Sequence, residues 1–351
     1  MAGILSGGGR DSVARVSSLR PVSGSADEIL ALLREWDAAA DPEPLVIETS
    51  GSTGSPKRVV LSRAAMRASA LATHERLGGP GQWVLNLPPT YVAGLQVLYR
   101  CLVAGTSPLL CGPSLAEARA GVTGRSYVSL VPTQLVRVLD GPASEVAALA
   151  AFDAVLVGGG PLDPRVRARA EAQGIRVVQT YGMSETCGGC VYDGRPLAGV
   201  EVRIDDGLVL LRGPVLFDGY EGDPAGTDAV LRDGWLVTSD LGHLDPAGRL
   251  HVDGRADDVI ISGGVKVPAP AVVAELERQP GVGAACVVGV PDDEWGERVV
   301  AVLVPDGEPA VADLDLPPAW RPKALVWVDA LPLLPNGKLD RLRARELAAR
   351  G

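Results

Sequence analysis

The stretch "EPLVIETSGSTGSPKRVVLS", residues 43–62, sets two apolar runs on either side of a loop of Ser, Thr and Gly that ends in Lys57. Two readings of that loop lead to different local folds. In one it is an ordinary hairpin connection between paired strands. In the other it follows a buried strand of an α/β sheet and grips an anion. Gly51 and Gly54 let backbone N–H groups approach a ligand, Thr49, Ser50, Ser52 and Thr53 add hydroxyls, and Lys57 adds a point charge, a set suited to a polyphosphate. It is not a Walker A loop, because only two residues separate Gly51 from Gly54 and Pro56 precedes Lys57. The loop alone leaves both readings open.

The surrounding sequence favours an α/β body. Upstream, "ADEILALLREWDAA" carries Ile29, Leu32, Leu33 and Trp36 at helical spacing, and downstream Ser62 is an N-cap for a helix that ends near Gly78. The runs "WVLNLP", "SPLLC", "SYVSLV", "DAVLVGGG" and "RVVQTYG" read as strands, separated by helical segments such as "VAGLQVLYRCLVAG" and "DPRVRARAEAQG". Alternating strands and helices predict mostly parallel sheets with helices. Ligands of such sheets sit beyond the carboxyl ends of the strands, where "TSGSTGSPK", Gly158–Gly160 and "TYGMSET" are all expected to fall.

After about residue 195 the short runs "GVEVRI", "GLVLLRG" and "GRLHVDGR" predict a small β-rich segment. A helix at "APAVVAELERQ", strands at "ACVVGV", "RVVAVLV" and "ALVWVD", and a terminal helix at "DRLRARELAAR" then predict a compact α+β unit. The expected division is a large domain over 1–256 and a small C-terminal domain over 257–351, hinged near Asp257.

Composition narrows the function classes. The 351 residues suffice for two domains, and 46% apolar content supports true cores. With 43 acidic against 33 basic residues, the formal charge of -10 argues against a broad nucleic-acid or anionic-membrane surface. No apolar run reaches membrane-spanning length and "MAGILSGGGRDS" lacks signal-peptide character, so a cytoplasmic protein without membrane insertion is expected. Five scattered cysteines predict reduced thiols. Cys187 and Cys190 form a Cys-x-x-Cys pair, but the three histidines supply no second ligand pair for zinc.

Singly, the remaining motifs are weak. In order, the Thr/Ser/Gly loop, "GGG", "YGMSETCGG", "LFDGYEGDP", "GWLVTSDLGHLD", "GRADDVIISGG" and "LPLLPNGKLDR" follow a succession that resembles the acyl-adenylate-forming superfamily, from about Leu45 to Arg341. That superfamily holds acyl-CoA ligases, luciferases and peptide-synthetase adenylation domains. The resemblance implies attack of a carboxylate on the α-phosphate of ATP, pyrophosphate release, and displacement of AMP by a thiolate. Such chemistry needs no protein nucleophile; it needs cations and N–H groups that align two mutually repelling anions.

The resemblance assigns roles residue by residue. Thr49, Ser50, Gly51, Ser52, Thr53, Gly54 and Lys57 would hold the β and γ phosphates, and Gly158, Gly159 and Gly160 would border the nucleotide. In "TYGMSET", Thr180 and Tyr181 would meet the adenine end, Gly182 and Met183 would line nucleotide and acid, Ser184 would touch phosphate and Glu185 would ligate Mg²⁺. Asp240 would accept the ribose hydroxyls and Arg255 would add a ribose or phosphate contact. Lys338 would bridge the substrate carboxylate and the α-phosphate, which requires the C-terminal domain to close. Rotation about Asp257 would then present Gly263, Gly264 and Lys266 to CoA; for Lys266 a solvated side chain is an equal alternative.

Two departures from the superfamily pattern are visible. Ala271 and Val273 stand where acids are common, and Tyr91 stands where many members have histidine ahead of Gly94. Tyr91 either shapes the acid pocket or packs in the core. Within the superfamily the short N-terminal part and the motifs "LPPTYVAGLQVLYRCLVAG" and "TYGMSETCGGCVYDG" resemble 2-succinylbenzoate-CoA ligases in their short actinobacterial form. This implies 2-succinylbenzoate, ATP and CoA as substrates, Gly94, Gly182, Gly188 and Gly189 around the acid, and menaquinone biosynthesis as the setting. A homodimer or larger assembly is expected by analogy. The alternatives are a ligase for another aryl or medium-chain acid, an adenylation enzyme loading a carrier protein, and a non-catalytic nucleotide-binding protein. The presence of Lys338, Glu185 and Asp240 argues against the last.

Overall fold

The computed structural model describes residues 22–49, 56–112, 114–256, 259–308, 311, 314–333 and 339–350. Helix α1 (Ala26–Ala38) forms where the helical spacing predicts it. A capping box between Ser25 and Glu28 opens it, and Ile29, Leu33 and Trp36 are buried.

Strands β1 (Leu45–Thr49) and β2 (Lys57–Leu61) pair antiparallel, with Thr49 opposite Lys57. The Ser/Thr/Gly loop therefore closes a hairpin, which corrects the expectation that it lies beyond a carboxyl end of the parallel sheet. The reason is chain length: a parallel return needs a crossover of about a dozen residues. The short loop permits only an antiparallel return, which buries Val59 and Leu61 with Leu45 and Ile47 in one core. Residues Ser50, Gly51, Ser52, Thr53 and Gly54 lie outside the described residues. Helix α2 (Arg63–Arg76) follows, its N-cap Ser62 accepting the Ala65 N–H as expected.

The central sheet comprises β3 (Gln82–Leu85), β4 (Leu109–Leu110), β5 (Ser126–Leu130), β6 (Ala154–Val157), β7 (Val177–Met183), β8 (Gly188–Tyr192) and β9 (Arg195–Pro196). Their order is β4-β3-β5-β6-β7-β8-β9, parallel as far as β7 and antiparallel beyond it. Helices α3 (Val92–Ala104), α4 (Leu115–Ala120), α5 (Pro132–Leu139), α6 (Ala143–Ala150) and α7 (Pro164–Ala172) connect it. The apolar run of β6 is explained by burial on both faces. Ala154 and Leu156 join one core and Val155 and Val157 the other.

The β-rich segment follows as expected, with β10 (Glu201–Asp205), β11 (Leu208–Arg212), β12 (Gly219–Tyr220), α8 (Pro224–Val230), β13 (Leu231–Arg232), β14 (Trp235–Leu244) and β15 (Leu250–Arg255). Five of these strands form an antiparallel sheet, whereas β12 adds to β2 and makes the first hairpin three-stranded. The C-terminal part has β16 (Val259–Ser262), β17 (Val265–Pro268), α9 (Ala269–Leu276), β18 (Val282–Asp292), β19 (Gly296–Pro305), β20 (Ala324–Trp327) and α10 (Arg341–Ala348). Its sheet separates two small cores, one holding Val272 and Leu276 of α9 and the other Ala344 and Ala348 of α10. Helix α9 meets β15 so closely that a Cβ at Gly254 would stand 2.7 Å from Pro270 Cγ. Among the described residues no helix is long and apolar enough to cross a membrane.

Candidate active site

The site is built around the turn from β7 to β8. Glycine 182 in β7 packs against β8 so tightly that a Cβ there would lie 2.1 Å from the Gly188 carbonyl oxygen. The turn itself spans Ser184–Thr186. Thr186 Oγ1 accepts the Met183 N–H at 2.9 Å and lies 2.7 Å from the Gly188 carbonyl oxygen, while Cys187 takes the left-handed conformation with φ 50°. Few non-glycine residues tolerate that region, so the hydrogen bonds around Thr186 hold the turn in place.

At one end of this unit the Tyr181 hydroxyl donates to Asp240 Oδ2 at 2.7 Å. Burial and the neighbouring Asp240 charge push the Tyr181 hydroxyl well above its ordinary value, so it remains a donor. Asp240 sits on β14 directly opposite Arg255 on β15, and its Oδ1 is 3.6 Å from an Arg255 nitrogen. Thr238 Oγ1 accepts the Asp240 N–H at 3.0 Å and fixes the backbone there. Three residues singled out from sequence thus meet at one point: Tyr181, Asp240 and Arg255.

At the other end Glu185 Oε1 accepts the Tyr220 hydroxyl at 2.8 Å, and the Glu185 carbonyl accepts the Phe217 N–H at 2.9 Å. Lys57 Nζ lies 4.7 Å from the centroid of the same Tyr220 ring. Thr49 is on the partner strand, its hydroxyl 3.4 Å from the Lys57 carbonyl oxygen. Tyr220 escapes sequence reasoning, because only the pairing of β12 with β2 brings it to Glu185 and Lys57.

Between the two ends, glycines let neighbouring segments pack closely. Gly158 follows β6, and a Cβ there would stand 2.2 Å from Thr180 Oγ1; Gly159 adopts φ +80°, and a Cβ at Gly160 would lie 3.8 Å from Pro132 Cγ. At Gly188 a Cβ would lie 3.5 Å from Gln96 Cγ and 3.9 Å from Val92 Cγ2, and Gly189 abuts Tyr192 and Thr180. Helix α3 therefore faces this glycine pair. Gly94 lets its first turn back onto residues 87 and 88, where a Cβ would meet the Pro88 carbonyl oxygen at 2.2 Å. Tyr91 occupies the α3 N-cap position and is half-buried. Gln96 is fully buried, and its Oε1 has no hydrogen-bond partner among the described residues. A lone amide in the apolar run "VAGLQVLYRC" is a signal that sequence reading passes over.

Gly263 and Gly264 form the β16–β17 hairpin tip with φ +58° and +77°, and Lys266 on β17 is exposed opposite Ile261. These three lie on the C-terminal sheet. Asp257 and Lys338 fall outside the described residues. Cys187 and Cys190 are buried, and burial pushes their thiols up, that of Cys190 to about 12. They are packed, protonated side chains.

The sequence pattern of AMP-binding enzymes matches residues 19–221, and that of the AMP-binding enzyme C-terminal domain matches 274–338. The chain belongs to the AMP-binding enzyme family. Among curated members of this family, the "Probable 2-succinylbenzoate–CoA ligase" of Mycobacterium tuberculosis is 44% identical, over 90% of this chain and 87% of that protein. The 2-succinylbenzoate–CoA ligase of Enterococcus faecalis is 32% identical, over 88% of this chain and 71% of its own length. Among solved structures, the o-succinylbenzoate CoA synthetase of Bacillus subtilis in complex with the acyl-adenylate intermediate OSB-AMP superposes with a TM-score of 0.75 at 29% identity. That match covers 88% of this chain and 69% of the other. The same enzyme with ATP and magnesium ion gives 0.74, over 88% and 70%. The expected acyl-CoA synthetase-like α/β fold is thereby borne out.

Proposed function

We propose that this AMP-binding enzyme converts 2-succinylbenzoate and ATP to the acyl-adenylate and pyrophosphate, and then the acyl-adenylate and CoA to 2-succinylbenzoyl-CoA and AMP. The observation that carries the reading is a single strand-and-turn unit with Tyr181–Asp240 at one end, Glu185–Tyr220 at the other and Gly182 packed closely on Gly188 between. Relatives named for 2-succinylbenzoate, each aligned over most of this chain, supply the acid. The setting is menaquinone biosynthesis in the cytoplasm.

In this reading Asp240 accepts the ribose hydroxyls, steadied by Tyr181 and Arg255, while Gly158–Gly160 border the base. Thr49–Gly54 and Lys57 hold the β and γ phosphates. The triphosphate spans from the Asp240 end to the Lys57 end, so the α-phosphate comes to rest beside Gly182. The acid enters along Gly188, Gly189, Tyr91 and Gly94, and its carboxylate meets the α-phosphate in line. Lys338, delivered by closure of 257–351 over 1–256, neutralises the charge that builds between the two anions.

Magnesium suits the donor set. Glu185 offers hard carboxylate oxygen from one residue, which matches an ion that draws its remaining ligands from phosphates and water. When bound it neutralises triphosphate charge; the protein's part is to hold Glu185 in place. Rotation at Asp257 then withdraws Lys338 and turns Gly263, Gly264 and Lys266 toward CoA.

The test is acid-dependent exchange of labelled pyrophosphate into ATP across a panel of acids. The reading expects 2-succinylbenzoate to drive exchange far better than benzoate or medium-chain acids. Exchange driven by those acids but not by 2-succinylbenzoate would overturn the substrate assignment.

A further inference from the structure

We propose that Tyr220 is a positioning residue that sets Glu185 and Lys57 in register with each other before nucleotide arrives. The inference rests on the reading of Glu185 and Lys57 given above. Its phenol donates to Glu185 Oε1 at 2.8 Å while its ring face carries Lys57 Nζ at 4.7 Å from the centroid. One side chain therefore touches both the carboxylate assigned to magnesium and the cation assigned to the phosphates.

The backbone around Tyr220 leaves it little freedom. Tyr220 pairs with Val59 and Gly219 with Val60 in β2, and the flanking residues extend the ladder. The Asp218 N–H donates to the Val60 carbonyl at 2.9 Å and the Glu221 N–H to the Arg58 carbonyl at 2.8 Å. Thr227 Oγ1 accepts the Tyr220 N–H at 2.8 Å. The ring is 8% exposed and meets Phe217 edge-on, with centroids 5.0 Å apart.

The two contacts do different things. The hydrogen bond fixes one carboxylate oxygen and leaves the other oxygen's lone pairs for a hard cation. The ring holds the ammonium by a weak attraction that a phosphate oxygen easily replaces, so Lys57 is placed without being neutralised.

Binding of ATP, with Mg²⁺ and in EDTA, is measured by titration calorimetry for wild type, Tyr220→Phe and Tyr220→Leu, with thermal unfolding alongside. Tyr220→Phe keeps the ring and loses the hydroxyl. It is expected to leave metal-free ATP affinity within about twofold while cutting the Mg²⁺ enhancement about tenfold, the scale of one charged hydrogen bond. Tyr220→Leu is expected to weaken metal-free binding about threefold further. A Tyr220→Phe variant with the wild-type Mg²⁺ enhancement overturns the inference, as does equal weakening with and without metal, the mark of a merely structural role. If wild type itself shows no Mg²⁺ enhancement, the assignment of Glu185 to magnesium falls first and this inference with it.

Discussion

Replacing Gly182 with alanine puts a methyl carbon 2.1 Å from the Gly188 carbonyl oxygen, 2.8 Å from its carbon and 2.7 Å from the Gly189 Cα. All three neighbours are backbone, so no side chain can swing aside. Ordinary contact begins near 3.4 Å. Strands β7 and β8 must therefore part by about 1 Å, and a displacement of that size in a positioned site costs on the order of 100-fold in rate. The overpacking itself costs about 1–3 kcal/mol of stability. Gly112→Ala is the control, because a Cβ at that exposed position meets nothing within 4 Å among the described residues. Pyrophosphate release and thermal unfolding are measured on both variants. The expected result is a Gly182→Ala enzyme that is folded, less stable and about 100-fold slower, beside an unchanged Gly112→Ala enzyme. A Gly182→Ala variant with wild-type rate and melting temperature would refute the close-packing argument.

Three further outcomes are expected. Asp240→Ala should weaken nucleotide binding by about 10- to 100-fold, as loss of charged hydrogen bonds does, and Tyr181→Phe by less; ATP titrations check both. Lys338→Ala should slow adenylate formation on the order of 100-fold yet leave thioester formation from supplied acyl-adenylate near normal, as single-turnover assays of the two steps would show. His74 is 5% exposed, and burial together with Arg100 lowers its pKa from 6.5 to about 4. The unfolded chain thus takes up a proton near pH 6.5 that the folded chain refuses until about pH 4. Stability should fall across that window by up to about 3 kcal/mol, and His74→Gln should flatten the dependence in chemical unfolding curves.

Sequence alone reveals the elements whose signals are local. Ser25 and Ser62 mark helix starts because a cap is a short-range event. The Val/Leu runs of β5 and β6 mark strands because both faces are covered. Helices α4, α5 and α6 escape a reading that looks for long periodic runs, although Pro132 at the first turn of α5, with Leu135 and Leu139 buried, is a usable signal. The antiparallel return of β2 on β1 follows from a loop too short for a crossover, a length argument that the anion-binding look of its Ser and Gly obscures. Order along the chain reveals Tyr181, Asp240 and Glu185, yet not what they touch. Tyr220 lies 35 residues from Glu185, and their contact exists only because two residues of β12 add to β2.

The most direct test of the central claim is mass analysis of the product formed from 2-succinylbenzoate, ATP, Mg²⁺ and CoA. The account predicts the 2-succinylbenzoyl-CoA thioester, with AMP and pyrophosphate released in equal amounts. Pyrophosphate without the CoA thioester, or no reaction alongside turnover of other acids, would contradict it.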